Sequence, residues 1–212
     1  ANGISMRQAM QQAGLKIADI PQLKRRTEDY LGFIEIHIEQ GPVLNELDIP
    51  LGVVTSINGS VRFVGEISGM ASHAGTTPMD RRRDAATAVA ELALYVEKRA
   101  LRVAETCVGT VGQLHVPNGS VNVVPGRCQF SLDLRATTNT ARDALMQDVL
   151  AELQAICERR GLHYTLEETM RASAAPSHPD WQTRWENAVK ALGVPLFQLP
   201  SGAGHDAMKL HE

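Results

Sequence analysis

A segment near the start of the chain alternates ionisable side chains with isoleucines, and it holds the residues best suited to chemistry. Its sequence is Ile34-Glu35-Ile36-His37-Ile38-Glu39-Gln40-Gly41-Pro42. The period of two predicts a β-strand over residues 31–38 that buries its isoleucines. The opposite face would present His37 between two glutamates, which suits a metal site because a ligating imidazole needs its second nitrogen held. An exposed strand edge with ordinary charges fits the same spacing, so the spacing alone leaves both interpretations open.

Three further polar segments follow, each containing glycine or proline. They are Ser72-His73-Ala74-Gly75-Thr76-Thr77-Pro78-Met79, Asn122-Val123-Val124-Pro125-Gly126 and Ser201-Gly202-Ala203-Gly204-His205-Asp206-Ala207. Together with the segment from His37 to Pro42, they resemble the motifs of the M20 metallohydrolases in the same order. The likeness is to the hydantoinase/carbamoylase branch, which includes allantoate amidohydrolases, N-carbamoyl-L-amino-acid hydrolases and β-ureidopropionases. It covers nearly the whole chain, and four motifs in order are far more specific than one.

The resemblance implies that His37 is a metal ligand and that Gln40 and His205 bind substrate. A neutral imidazole on a rigid strand suits zinc or manganese. The amide of Gln40 can both donate and accept hydrogen bonds, and the resemblance implies that it contacts the ureido or carboxylate end of the substrate. His205 lies in a glycine-rich loop, where the backbone can approach a ligand closely.

The resemblance also implies roles for His73, Asn122 and Arg135 in the middle of the chain. The matching histidine of the family reaches into the neighbouring subunit's active site and stabilises the tetrahedral oxyanion, which makes His73 the implied catalytic residue. Asn122 would bind the substrate amide, and Arg135 its carboxylate, since a guanidinium fork matches a carboxylate. From the residues alone, His73 could also be a satisfied loop histidine, and Arg135 could simply cap a strand end.

The implied reaction is metal-assisted hydrolysis of a C–N bond in a linear ureido compound such as allantoate or an N-carbamoyl-L-amino acid, with two divalent ions, zinc or manganese. Before residue 37 the chain has neither the His-x-Asp nor the Glu-Glu segment that supplies other metal ligands in the family. We therefore expect a middle fragment of such an enzyme, inactive alone and binding no catalytic metal tightly. Two alternatives stay open: an M20 aminoacylase or peptidase, and a non-catalytic dimerisation module.

The elements that must position these side chains follow from periodicity and turn residues. They are helices over 4–14, 80–103, 139–160 and 180–192, and strands over 51–57, 61–68, 107–116, 121–136, 162–172 and 194–199. Asp80 is the expected N-cap of the second helix. The expected packed stripe of that helix is Ala86, Val89, Ala90, Ala93, Val96 and Ala100. The third helix is expected to pack through Leu145, Val149, Leu153 and Ile156.

The order of elements predicts an α/β (α+β) fold made of two parts. The β-α-β-β-α-β order between residues 61 and 172 is the ferredoxin-like arrangement. We predict that residues 59–174 form a ferredoxin-like lid and dimerisation domain inserted into a partial M20 catalytic domain, residues 1–58 and 175–212. The lid would pair with a second copy through an edge strand or its helices, giving a homodimer.

Composition narrows the classes of partner. Net charge is −3 and only 4% of residues are aromatic, so nothing indicates a nucleic-acid partner. No apolar run is long enough to span a membrane. The three cysteines, Cys107, Cys128 and Cys157, are widely spaced in apolar surroundings. That pattern indicates reduced buried thiols and a cytoplasmic protein.

Overall fold

The computed structural model describes residues 3–211. The chain divides into two compact units, one up to Ile34 and one from Glu35 onward. The first unit contains helix α1 (Met6–Gln12) and two 3-10 turns, Ile17–Leu23 and Thr27–Asp29. Helix α1 begins at Ser5 with a capping box, because the Ser5 and Gln8 side chains each hydrogen bond to the other's backbone N–H. The helix predicted over 4–14 is thus confirmed in shorter form. None of the helices between residues 3 and 211 combines the length and the apolar character that a membrane span needs.

The second unit carries the other helices and all the strands of the described chain. In order they are α2 (Val43–Glu46), β1 (Val53–Ile57), β2 (Gly59–Ser68), β3 (Ser72–His73), α3 (Ala85–Val103), β4 (Val108–Thr110), β5 (Leu114–His115), β6 (Val123–Val124), β7 (Arg127–Ala136), α4 (Asn139–Arg160), β8 (His163–Ala172), β9 (Ala175–Pro176), α5 (Pro179–Ala191), β10 (Gln198–Ser201) and α6 (Asp206–His211).

The largest sheet confirms the predicted ferredoxin-like arrangement. Its strand order is β4-β7-β2-β8, and every pairing is antiparallel. Strand β5 pairs with β7 along the same edge as β4, so the five strands fill four positions and we call this the four-stranded sheet. Helices α3 and α4 share one core with the inner side chains of β2 and β7. Both helices therefore cover the same face of the sheet, as a ferredoxin-like arrangement requires.

Helix α4 follows the prediction most closely. The four apolar residues assigned to its inner face are fully buried. The Thr138 side chain accepts a hydrogen bond from the N–H of Ala141 at the start of the helix. Gly161 ends it with φ +63°, a left-handed conformation that glycine adopts without a Cβ penalty. The three cysteines are also buried and free, as predicted.

Helix α3 begins later than predicted. Its N-cap is Asp84, whose carboxylate accepts from Thr87 N, whereas Asp80 lies in a 3-10 turn. The reason is tertiary, because the carbonyl of Arg83 accepts a hydrogen bond from Met70 N and holds the preceding residues outside the helix. The packed stripe differs too. Ala90 is exposed, Ala86 and Ala93 are half-buried, and the fully buried positions include Ala85, Ala88 and Leu92.

A smaller sheet joins both ends of the second unit. Strand β1 is parallel to β10 and antiparallel to β9, and helix α5 packs against β1. Only Asn58 separates β1 from β2, and only Ser173 and Ala174 separate β8 from β9. The chain thus passes to the four-stranded sheet and back through two very short connections. They coincide with the domain boundaries predicted at 58/59 and 174/175, and the division into domains stays a prediction.

The strand predicted over residues 31–38 is wrong for the described chain, in which these residues belong to no strand or helix. Exposed and half-buried side chains still alternate along the segment, but the isoleucines are the exposed ones. Ile34, Ile36 and Ile38 are 47%, 89% and 73% exposed, whereas the side chains between them are half-buried. An extended segment buries one face only when a neighbouring strand or helix covers it, and no strand of the described residues pairs with this one.

Candidate functional site

The imidazoles of His37 and His205 lie against each other. Their ring centroids are 4.1 Å apart and their planes differ by 9°. His37 Nδ1 is 2.6 Å from the carbonyl oxygen of Ile38, and a carbonyl can only accept, so Nδ1 donates. In the neutral ring the lone pair is then on Nε2, the nitrogen left available for a metal.

Glu35 connects the His37 segment to the loop that carries His205. Its carboxylate accepts a hydrogen bond of 2.9 Å from the backbone N–H of Ala207, in the first turn of α6. That bond is the main reason that the pKa of Glu35 is lowered, and a second comes from Asp206 N. Glu35 is therefore ionised at neutral pH and fastens together two segments 172 residues apart.

Ser201 holds the other side of His205. Its Oγ is 2.8 Å from His205 Nε2 and accepts a hydrogen bond from Ala203 N. Burial lowers the pKa of His205, and the neighbouring His37 lowers it further, while Glu35 opposes them. The imidazole of His205 is therefore neutral at pH 7, and it is fixed by a hydrogen bond on one edge and a stacked ring on one face.

Gln40 and Glu39 do not share the environment of His37. The Glu39 carboxylate accepts from the N–H groups of Val43 and Leu44 at 2.9 and 2.8 Å, so it caps α2. Gln40 is exposed and has φ +54°, a left-handed conformation that a non-glycine residue adopts only when its surroundings impose it. The predicted substrate contact through Gln40 stays a prediction.

His73 and Asn122 lie side by side on two paired loops. In the β3–β6 pair His73 faces Val123, and Ala74 N donates to the Asn122 carbonyl at 2.9 Å. The His73 ring accepts a hydrogen bond on Nδ1 from Gly75 N at 3.1 Å. Its proton is therefore on Nε2, which leaves an exposed N–H donor of the kind that an oxyanion requires.

Arg135 already binds a carboxylate of its own chain. Its Nε and Nη2 donate to the two oxygens of Asp133 at 2.8 and 2.6 Å, and its Nη1 donates to the Gly202 carbonyl at 2.6 Å. Burial alone would raise the pKa of Asp133, but Arg135 and Arg62 together lower it. A substrate carboxylate would have to use the N–H groups that these partners leave open.

Within one chain the predicted residues form two separate groups. Arg135 contacts the glycine-rich loop of His205 and therefore lies near the His37 pair. The other group, His73 and Asn122, is tied to the far end of the sheet, where Gly69 N donates to Gly126 O. On β2, Ser60 faces Arg135 and Ser68 faces Arg127, so the two ends are roughly 27 Å apart at about 3.4 Å per residue.

The sequence prediction left two residues of this arrangement without a role. Glu35 is two positions before His37 on the same side of an extended segment, and that spacing was a usable signal. Ser201 belongs to the motif around His205, but its contact depends on how the loop folds. Across residues 3–211, no three His, Cys, Asp or Glu side chains converge as a metal site would require.

Comparison with known proteins gives a consistent set of similar sequences. Residues 55–161 match the model of a peptidase dimerisation domain. An N-carbamoyl-L-amino acid amidohydrolase of Geobacillus stearothermophilus is 41% identical over 99% of this chain and 51% of its own length. An allantoate deiminase of Arabidopsis thaliana is 33% identical over 99% of this chain and 45% of its own length. An allantoate amidohydrolase of Bacillus subtilis is 32% identical, with 99% and 50% covered.

Solved structures agree with the sequences. An amidase of the hydantoinase/carbamoylase family from Burkholderia phymatum superposes with a TM-score of 0.85 at 30% identity, over 95% of this chain and 50% of that one. A second such amidase, from Burkholderia multivorans, has a TM-score of 0.80 at 32% identity, over 82% of this chain and 43% of its own. The chain spans about half the length of the curated relatives it matches.

Proposed function

This chain belongs to the hydantoinase/carbamoylase branch of the M20 metallohydrolases, and from that premise we propose that the full protein hydrolyses a C–N bond of a linear ureido compound. Allantoate and N-carbamoyl-L-amino acids are the proposed substrates, since similar proteins are named for them. The observation that carries the proposal is the stacked pair of His37 and His205, which Glu35 and Ser201 fasten from two sides.

His37 is the residue of this chain that would bind a divalent metal, zinc or manganese. Its Nδ1 is already held by a backbone carbonyl, as is usual for a ligating histidine, so its Nε2 fits one coordination position. The described residues offer no complete ligand set, and the other ligands of a pair of ions would come from elsewhere in the full protein. A bound metal of this kind supplies an activated water.

The remaining groups would bind and orient the substrate. Arg135 lies beside the His37 pair with two of its five N–H groups unused by Asp133 and Gly202, and it would bind the carboxylate end of the substrate. Gln40 and His205 would contact the ureido end. The exposed Nε2–H of His73 would donate to the oxyanion that forms on attack, and Asn122 would bind the amide beside it.

We propose that two copies of the chain complete each active site. In one chain the groups that contain His37 and His73 are tied to opposite ends of β2. Those ends are roughly 27 Å apart, so the two side chains cannot act on one small substrate there. A second copy bound through residues 59–174 can bring its His73 to the first copy's His37. The match to a dimerisation domain supports this arrangement, as does the edge strand β8, which has no partner on one side among the described strands.

Mixed dimers of the full protein test the proposed roles of His37 and His73 and the sharing of each active site by two copies. His37→Ala and His73→Ala would each abolish most hydrolysis of the carbamoyl amino acid or allantoate. Mixing the two variants would restore about a quarter of the activity, because half of the dimers are mixed and one of their two sites is intact. Light scattering confirms that each variant is dimeric. Dimeric variants that stay inactive when mixed, with subunit exchange demonstrated, would contradict a shared site.

A dimerisation module without catalytic activity is the second candidate. It is favoured by one observation: the four-stranded sheet and its two helices have a core of their own. All of these elements except β8 lie within the segment that matches a dimerisation domain. In that case the full protein would dimerise normally yet hydrolyse neither substrate with zinc or manganese present.

A further inference from the structure

The loop that carries His73 is closed by a half-buried cationic contact. Arg82 Nη2 donates to the Ala74 carbonyl at 2.6 Å, and Arg82 Nε donates to the Thr77 carbonyl at 3.1 Å. Both acceptors belong to the turn that follows His73. Among the ion pairs of the described residues none involves Arg82. The hydrogen bonds of this half-buried guanidinium go to backbone carbonyls.

The shape of this turn determines how the imidazole of His73 is held. The carbonyl of His73 accepts from Thr77 N at 3.1 Å, and its ring Nδ1 accepts from Gly75 N at 3.1 Å. A Cβ at position 75 would lie 3.2 Å from His73 Cε1, so the ring packs directly over the turn. Any opening of the turn removes the Gly75 donor from Nδ1 and releases the ring.

We propose that Arg82 is a positioning residue for His73. By joining the carbonyls of residues 74 and 77, it keeps the turn closed, keeps Gly75 N on Nδ1 and so keeps the Nε2–H fixed as an outward donor. Its effect on catalysis rests on the proposed function of His73. Its effect on the turn does not, because the turn can be observed without any substrate.

The neighbouring arginine provides a matched control. Arg81 has a side chain that is 78% exposed, and its ion pair is with Asp80, which is equally exposed. Arg81→Met and Arg82→Met therefore remove the same charge from adjacent positions. Only Arg82→Met removes the contacts to the turn. Arg82→Lys keeps the charge but cannot reproduce the two-pronged geometry of the guanidinium, so its effect should be intermediate.

The first measurement is amide hydrogen exchange in the full protein, on peptides that cover residues 72–78. In Arg82→Met we expect exchange at Gly75 and Thr77 to accelerate about tenfold or more, with Arg81→Met unchanged. Peptides from β7 report whether the fold itself is intact. Wild-type exchange rates in Arg82→Met would overturn the proposal. If Arg82→Met does not fold, Arg82→Lys is judged by the same criterion.

The second measurement is a double-mutant cycle on turnover. Arg82→Met should lower kcat about tenfold or more in the wild type, with KM nearly constant, and should cause no further loss in a His73→Ala background. An equal loss in both backgrounds would show that Arg82 acts through general stability and would overturn the proposal. If His73→Ala itself retains full kcat, the proposed function of His73 fails, and the exchange experiment alone decides the role of Arg82.

Discussion

At the scale of single residues, the donor on His73 is created by its own loop. Because Gly75 N occupies Nδ1, the outward nitrogen is protonated and can stabilise negative charge without rearrangement. We expect His73→Ala in the full protein to lower kcat by roughly two to three orders of magnitude, with little change in KM. Steady-state kinetics with saturating metal measure this. A change confined to KM would show that His73 only binds substrate.

Asp133 is the second residue with a testable consequence. Its folded pKa is lowered by Arg135 and Arg62 against the effect of burial, so the native state binds fewer protons than the unfolded chain. The stabilisation is present above the unfolded pKa of about 3.9 and is lost as pH falls through the folded pKa. Asp133→Asn should cost about 1–3 kcal/mol of unfolding free energy at pH 7, and much less near pH 2.

Denaturant unfolding at several pH values measures this difference. Glu167→Gln is the control, because it also removes a carboxylate but lies on the edge strand β8 without a hydrogen bond or ion pair among the described contacts. A cost for Asp133→Asn that stays constant down to pH 2 would mean that Asp133 stabilises by packing and not by charge.

The role of a residue could be predicted from sequence only where it depends on contacts with residues close by in the chain. The motif around His73 and its glycine could be recognised from sequence, since the contacts of that turn lie within a few residues. The stack of His37 on His205 could not be derived from periodicity, because it depends on a hydrogen bond between residues 172 positions apart. The occupation of the Arg135 fork by Asp133 was also missed, although their i, i+2 spacing places both side chains on one face of β7.

At the scale of elements, helix α4 carries much of the stability of the four-stranded unit. Leu153 is completely buried between the helix and the sheet. Leu153→Ala should lower the unfolding free energy by about 2–5 kcal/mol, because it removes apolar contacts and leaves a cavity. Leu94→Ala, at a position 69% exposed on α3, should change it by less than about 0.5 kcal/mol. Chemical denaturation followed by circular dichroism compares the two, and equal effects would contradict the packing described.

Elements were predicted well when their determinants were local. Helix α4 has a periodic apolar face, an N-cap at Thr138 and a C-cap at Gly161. All three depend on residue types within or next to the helix itself. Helix α3 was misplaced at its start, because the contact between Met70 N and the Arg83 carbonyl competes with helix formation. The strand expected over residues 31–38 failed for a related reason: a strand exists only with a partner, and no local pattern shows which segment that is.

At the scale of the whole molecule, metal binding should require more than this chain. A single imidazole, even one with its second nitrogen held, does not satisfy a tetrahedral zinc site. After dialysis against zinc and then against buffer, the 212-residue chain should retain far less than one equivalent, and manganese should behave alike. Stoichiometric zinc that is lost in His37→Ala would show that residues of this chain complete the site.

The pairing of β1 with β9 brings the exit and the return of the chain side by side on the smaller sheet. Ser56 faces Pro176 and Ile57 faces Ala175, and facing residues of antiparallel strands lie roughly 5 Å apart. The chain therefore departs from the smaller sheet and returns to it at almost one point, after more than a hundred residues. A two-residue hairpin turn could join Ile57 to Ala175 with the sheet unchanged. The four-stranded sheet and its helices thus leave and rejoin the smaller sheet side by side, so replacing them with that turn should leave the pairing of β1 with β10 intact.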